Sequence, residues 1–270
     1  MTPLSDVTRF LEQHFPVALA EQWDNVGLLL GDRSRPVKAV MTCLTLSPDV
    51  AAEAVEQQAQ LIVSHHPILF RPIQKITRDT PEGSVLLNLC SAGIAVYSPH
   101  TAYDSADAGI NQQLAETIGL TNIAVLRPVV DHQNVQADSK SIAGAGRYGD
   151  LENARTLAEL LPQLKGRLDV DTLSYAGDSS IEVRRLGIAC GAAAEFMNDA
   201  RQADCQALLT GEARFHAYVE ARSLGMALII AGHYATERPA VEKLAQTLSD
   251  NFPALNVWAS HQETDPVRYL

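Results

Sequence analysis

Short apolar blocks rich in Val, Ile and Leu alternate along the chain with segments whose apolar positions recur at the helical period. This is the pattern of α/β units whose strands are covered on both faces. Val37–Leu46 reads as a strand, and Ser47 then offers an N-cap with Pro48 at the first helical position, opening a helix through Gln58. Leu61–Ser64 follows as a buried strand. Thr80-Pro81 repeats the same cap grammar, the helix extends to Ala92, Gly93 supplies a left-handed stop, and Ile94–Tyr97 is the next strand. In the second half the same rhythm predicts strand Val183–Cys190, helix Ala194–Ala203, strand Ala207–Thr210, helix Ala213–Leu224, strand Ala227–Ala231, helix Thr236–Asn251 and strand Asn256–Ser260. Between the halves, Thr121 to Ser180 loses the rhythm and reads as an irregular connector with a polar loop, Asp131–Ser141, and one helix, Asn153–Leu164.

The shared rhythm is an internal repeat. Val37–Pro67 lies on Val183–Ala213 without a gap, so that Ala54 meets Ala200, Gln60 meets Gln206, and Ile62-Val63-Ser64 meets Leu208-Leu209-Thr210. The next unit matches with one inserted residue: Gly93 leads to His100-Thr-Ala-Tyr-Asp104 as Gly225 leads to His233-Tyr-Ala-Thr-Glu237. The expected fold is therefore α/β, two similar α/β lobes with largely buried strands flanked by helices. The first lobe spans 1–120, the connector 121–182 and the second lobe 183–270, the lobes forming one compact unit around a shared sheet-end cleft.

Charge narrows the partners. With 21 basic and 32 acidic residues the net charge is -11, which argues against a broad phosphate-tracking surface and so against nucleic acid. Cys43, Cys90, Cys190 and Cys205 are dispersed and form no C-x-x-C pair, as buried thiols in a reducing cytoplasm would be. The first residues carry no signal-peptide pattern and no apolar run reaches a membrane-spanning length, so a cytoplasmic location away from membranes is expected.

Strand Leu61–Ser64 runs into His65-His66-Pro67, placing two imidazoles at the carboxyl end of a buried strand, where open α/β sheets bind ligands. Pro67 biases His66 toward extended backbone, so the two side chains diverge and suit two ions lying side by side better than one. For such a pair in isolation, the alternative is a hydrogen-bonded strand-end His beside a surface His. His100 with Asp104, and His233 with Glu237, follow two further strand ends, so three strand ends deliver four of the eight His and two carboxylates. Thr236 as an N-cap would set Glu237 in the first helical turn near the positive dipole end, with Pro239 tolerated there. A carboxylate shared by two cations flanked by imidazoles leaves room for water whose pKa falls toward ~7, a hydrolytic nucleophile.

Taken together, Trp23-Asp24-Asn25-Val26-Gly27-Leu28, His65-His66-Pro67-Ile-Leu-Phe70, His100-Thr-Ala-Tyr-Asp104, Gly211-Glu212-Ala-Arg-Phe-His216 and Gly232-His233-Tyr-Ala-Thr-Glu237-Arg238 resemble the dinuclear-metal family of GTP cyclohydrolase 1 type 2 homologues. The likeness covers nearly the whole chain, with the motifs in the family's order. It implies that His65, His66, Asp104, His233 and Glu237 ligate two divalent ions, with Glu237 bridging, and that the chain forms a ring-shaped homohexamer. Zinc, iron, manganese, cobalt and nickel all suit such ligands. The implied reaction is ring opening of GTP to formate and dihydroneopterin triphosphate, on a small-molecule nucleotide substrate. A dinuclear-metal phosphoesterase or other nucleotide hydrolase is one alternative, and a non-enzymatic hexameric metal-binding scaffold or regulator is another.

The repeat makes His100 the counterpart of His233, and Glu212 that of His66. Both are candidates for orienting ligands or moving protons, as is His216 more weakly, with a first-turn carboxylate and a helix-face His as the ordinary alternatives for the latter two. Arg71, Lys75, Arg78, Arg214 and Arg238 lie near the motifs as candidate contacts to a triphosphate. Gly144-Ala-Gly146-Arg-Tyr-Gly149 fits a dinucleotide fingerprint in letters only; no buried strand precedes it, so a turn is expected. Trp23 and Asp24 read either as cleft-lining residues or as a buried Trp before a turn.

Overall fold

A computed structural model describes residues 2–129 and 143–268, so the predicted loop Asp131–Ser141 lies outside the described residues. The chain forms two compact units, one of residues up to Tyr103 together with Arg238–Arg268, the other of Asp104–Glu237. It leaves the first between Tyr103 and Asp104 and returns between Glu237 and Arg238, so the division differs from the three consecutive segments expected. Among the described residues no helix is long and apolar enough to cross a membrane.

The first unit is built on a five-stranded sheet in the order Asn256–Ala259, Ala39–Cys43, Leu61–Ser64, Ala95–Ser98, Gly27–Leu30. The first four strands are parallel and Gly27–Leu30 is antiparallel at one edge. Every residue of the three central strands is buried, as parallel strands covered on both faces must be. Ser47 accepts from the Val50 amide at 3.3 Å to open helix Pro48–Glu56, and Thr80 accepts from Gly83 at 3.1 Å to open Pro81–Ala92, which stops at left-handed Gly93 as the cap grammar predicts. Met41, Val50, Ala54, Ile62, Leu89 and Val96 interlock between these helices and the sheet.

The second unit is built on a six-stranded sheet in the order Thr121–Pro128, Gly144–Thr156, Glu182–Ala189, Ala207–Thr210, Ala227–Ile230, Ser174–Ala176. Its parallel centre, Glu182–Ala189, Ala207–Thr210 and Ala227–Ile230, is flanked by antiparallel strands. The expected connector is thus corrected: Thr121–Pro128, Gly144–Thr156 and Ser174–Ala176 belong to the sheet. Their partly exposed faces, the shortness of Ser174–Ala176 and the glycine- and charge-rich letters of Gly144–Thr156 hide them from an apolar pattern. Gly144 to Gly149 lies in a strand, not a turn. A Cβ on Gly144 would meet the Arg127 carbonyl at 2.3 Å, and one on Gly146 the Leu126 Cδ1 at 2.9 Å, so the glycines serve close strand approach. The helix expected at Asn153–Leu164 is Leu157–Leu168, opened by a reciprocal capping box between Thr156 and Glu159.

The repeat holds at atomic detail. Val40 pairs with Leu61 and Cys43 with Ser64, and their counterparts pair in the same register, Leu186 with Ala207 and Ala189 with Thr210. Gln60 Oε1 accepts from the amides of Lys38 and Ala39, both at 2.9 Å, as Gln206 Oε1 accepts from Arg184 and Arg185 at 2.9 and 3.0 Å. Before each strand stands a left-handed residue, Gln58 at φ 56° and Asp204 at φ 59°. Three of the cysteines are buried as expected, whereas Cys90 is exposed on its helix.

Candidate metal centre

In the first unit, His65 and His66 continue strand Leu61–Ser64, and His100 opens helix His100–Ser105 just after strand Ala95–Ser98. The backbone is pinned here: the amides of His65 and His66 donate to Cys43 and Leu44 at 2.9 and 2.8 Å, and the Ser98 hydroxyl donates to the His65 carbonyl at 2.7 Å. One ligand nitrogen from each of His65, His66 and His100 lies within 4.8 Å of the others. His65 and His66 tilt by 53° with ring centroids 5.0 Å apart. Adjacent strand-end histidines therefore share one cluster, and His100 joins it.

Asp24 sits behind His100, its Oδ1 2.7 Å from His100 Nδ1, while Oδ2 accepts from the Thr101 amide at 3.1 Å and its hydroxyl at 2.5 Å. Burial pushes the Asp24 carboxyl up, but the bonds from His100 and Thr101 outweigh it and hold the pKa at about 2. His100 has a φ of 29°, rare for a residue with a side chain and held here by the bonds to Asp24. His66 is engaged likewise at Nδ1, 2.7 Å from the Thr45 hydroxyl. Trp23 is 61% exposed, which corrects the buried alternative; its ring meets Phe70 and His100 edge-on at 5.8 and 6.1 Å.

In the second unit the three parallel strands run in register to Cys190-Gly191, Gly211-Glu212 and Gly232-His233. His233 stands between two carboxylates, Nε2 3.0 Å from Glu237 Oε2 and Nδ1 3.3 Å from Glu212 Oε1. The bond His233 donates to Glu237 pushes the imidazole pKa up to about 9 against the opposing effect of burial, with Glu212 adding to it. Glu237 is buried over Gly191, where a Cβ would meet Glu237 Oε1 at 2.2 Å and His233 Nε2 at 3.3 Å. Asp104 Oδ1 accepts from the Cys190 thiol at 3.4 Å, and burial together with the charges of Asp104 and Glu237 pushes that thiol far up, keeping it a donor. Buried Asn111 ties the two together, accepting from the Cys190 amide at 2.8 Å and donating to the Asp104 carbonyl at 3.1 Å.

One expectation about Glu237 changes. The helix begins at His233 rather than Thr236, so Glu237 lies a turn inside it, and His233 rather than the helix terminus supplies its positive neighbour. Thr236 bonds back to the Gly232 and His233 carbonyls at 3.1 and 2.9 Å and accepts from the Gly191 amide at 3.2 Å. Glu212 precedes helix Phe215–Ser223 instead of lying in its first turn. His216 is exposed, its ring against Phe215 at 5.8 Å, outside the contacts joining Glu212, His233 and Glu237. Arg238 is buried in the first unit, bonded to the Ser260 carbonyl and paired with Glu263 and Glu242, so it is not presented to a phosphate; Arg71, Lys75, Arg78 and Arg214 are exposed.

These donor sets fit a divalent transition-metal ion. His66 and His233 have Nδ1 bound to Thr45 and to Glu212, the outer-shell arrangement typical of metal-ligating histidines, and Asp24 orients His100 in the same way. Glu237 and Glu212 flank the His233 ring, and Gly191, having no Cβ, leaves room for the Glu237 carboxylate and that ring. Sequence reasoning missed Thr45, Asn111, Cys190 and Gly191. The repeat carried a signal for two of them, since Thr45 and Gly191 occupy equivalent positions in its gapless alignment.

A doubly α/β chain with histidines and carboxylates gathered at its strand ends matches the Duf34/NIF3 (NGG1p interacting factor 3) family over residues 2–266. The chain belongs to this family. It is 32% identical over 270 residues to a Clostridium acetobutylicum protein named GTP cyclohydrolase 1 type 2 homolog, covering 98% of each chain. To the Schizosaccharomyces pombe Protein NIF3 homolog it is 31% identical, covering 97% of this chain and 96% of that one. The crystal structure of a Staphylococcus aureus protein superposes with a TM-score of 0.89 at 25% identity, covering 100% of this chain and 99% of that one.

Proposed function

We propose that the chain is a cytoplasmic, homohexameric metal-dependent hydrolase in which His65, His66, Asp104, His233 and Glu237 hold two divalent cations. Its reaction is taken to be the GTP ring opening carried in the names of its bacterial relatives. The carrying observation is the His65–His66–His100 cluster with Asp24 bound behind His100, which joins an imidazole ligand set to an oriented acid–base group. When bound, paired divalent cations supply Lewis acidity and activate water for attack.

The remaining work falls to this chain's side chains. Asp24 holds His100 with Nδ1–H toward the carboxylate, so that Nε2 exchanges the proton needed at a substrate ring nitrogen. Glu212 orients His233 through Nδ1, and the Cys190 thiol, kept protonated, orients Asp104. Glu237, buried beside Gly191, brings negative charge where cations are wanted.

The test is to load purified protein with zinc, manganese or iron and incubate it with GTP and, separately, a general phosphoester. Formate and dihydroneopterin triphosphate are expected from GTP. Phosphate alone would replace the reading with a phosphoesterase, and no product with any metal would favour a scaffold. Elemental analysis should give two ions per chain, fewer after Glu237→Ala, and light scattering should give six chains per particle.

A further inference from the structure

After strand Asn256–Ala259 the chain crosses the carboxyl end of the first unit's sheet, beside the residues that follow strand Ala39–Cys43. Glu53 ties down this crossing, accepting from Trp258 Nε1, the Ser260 hydroxyl and the amides of His261 and Gln262 at 3.2, 2.5, 3.0 and 3.1 Å. Glu263 comes next, with a side chain only 6% exposed. Its two oxygens accept from the adjacent amides of Leu44 and Thr45 at 2.8 and 2.6 Å, and Oε2 pairs with the Arg238 guanidinium at 3.0 Å. Successive backbone amides of this kind form a concave anion nest, here filled by a carboxylate of the same chain.

The nest belongs to the residue that touches His66. Thr45, whose amide Glu263 holds, places its hydroxyl 2.7 Å from His66 Nδ1. In the second half of the repeat Gly191 replaces Thr45 and Glu212 replaces His66, and the Gly191 amide donates to the Thr236 hydroxyl instead of to a carboxylate. This geometry gives the first unit its own means of aiming an imidazole, reaching from near the end of the chain to a strand end.

We propose that Glu263 and Thr45 are positioning residues for the metal site: Glu263 fixes the Thr45 backbone, and the Thr45 hydroxyl accepts from His66 Nδ1–H so that Nε2 is the nitrogen offered to a cation. The proposal rests on the reading of His66 as a ligand. It assigns a role to the last segment of the chain that the metal-ligand motifs do not contain.

The experiment uses the full chain. Zinc affinity is measured by competition with a chelator, and the nitrogen shifts of the His66 ring are read by NMR in zinc-free protein. Thr45→Val is expected to weaken zinc binding by about 10–100-fold and to mix the His66 tautomers, and Thr45→Ser to restore both. Glu263→Ala is expected to move both readouts in the same direction. Wild-type affinity and ring shifts in Thr45→Val would overturn the proposal. Should Glu263→Ala not fold because Arg238 loses its partner, the Thr45 variants decide by themselves. Should wild-type protein bind no zinc, the metal reading falls while the His66 shifts still decide whether Thr45 and Glu263 set the ring.

Discussion

Asp24 and His100 form a carboxylate–imidazole pair at 2.7 Å in which the Asp24 side chain is wholly shielded from solvent while His100 contacts the rings of His65 and His66. Such a carboxylate fixes which ring nitrogen carries the proton. Asp24→Asn puts an amide against Nδ1 and frees the tautomer. It is expected to lower kcat for GTP by about 100-fold, within the usual range for a positioned acid–base group, while elemental analysis still finds two ions. His100→Ala should do the same. Loss of metal in either variant would make His100 a ligand instead.

Gly191 separates backbone strain from site crowding. Its φ is 64°, and a Cβ added to it would stand 2.2 Å from Glu237 Oε1, so Gly191→Ala must both strain the chain and displace the carboxylate. Gly225 is the control, with φ 67° and nothing within 4 Å of such a Cβ. Each alanine should cost about 1–3 kcal/mol for a left-handed non-glycine residue, read by denaturant melts. Only Gly191→Ala should also weaken zinc binding, by tenfold or more on the scale of disturbed ligand orientation, roughly 10–100-fold.

The parts of the fold legible in the sequence are those whose physics is local. Ser47-Pro48, Thr80-Pro81 and Gly93 announce helix ends through their own side chains and backbone freedom, and the structure has these ends where the letters put them. Leu61–Ser64 and Ala207–Thr210 are buried on both faces, and each spells three apolar residues in succession before a closing Ser or Thr. Gly144–Thr156 is a strand because Thr121–Pro128 and Glu182–Ala189 pair with it on either side, a cause its own letters do not contain. At the site, the ligand types stand out because His and carboxylates are rare at buried strand ends. Thr45, Asn111 and Gly191 are ordinary letters whose roles exist only once distant strands lie side by side. Thr156-Leu-Ala-Glu159 does carry a local signal: its Thr-x-x-Glu box marks the true helix start, four residues beyond the start that the apolar period alone predicts.

Arg147, fully buried, ties down the backbone of the glycine run. Its guanidinium donates to the carbonyls of Gly144, Gly146 and Ala106 at 2.7, 2.9 and 2.9 Å and to Gln112 Oε1 at 3.0 Å, and burial pushes its pKa down to about 10. A lysine ammonium is a compact donor that cannot span this fork. Arg147→Lys should leave two or more buried acceptors unmet at about 1–3 kcal/mol each. The expected result is a lower melting temperature with unchanged zinc stoichiometry, since none of these contacts touches His233, Glu237 or Asp104 side chains.

Glu53 makes the first unit sensitive to acid. Burial pushes its carboxyl up, but the donors from His261, Ser260, Gln262 and Trp258 outweigh that effect and hold it below the ordinary value of 4.5. A carboxyl that ionises more readily folded than unfolded stabilises the fold fully above its unfolded pKa, and that contribution fades as the pH falls through 4.5 toward the lower folded value. Glu53→Gln cannot accept from all four donors and cannot titrate. It should therefore be less stable than wild type at neutral pH and lose less stability on acidification below 4.5, so that the two melting curves converge. Trp258, whose indole donates to Glu53, reports the event by its emission in a Trp23→Phe background. Parallel acid curves for Glu53→Gln and its parent would show that other carboxylates set the acid limit.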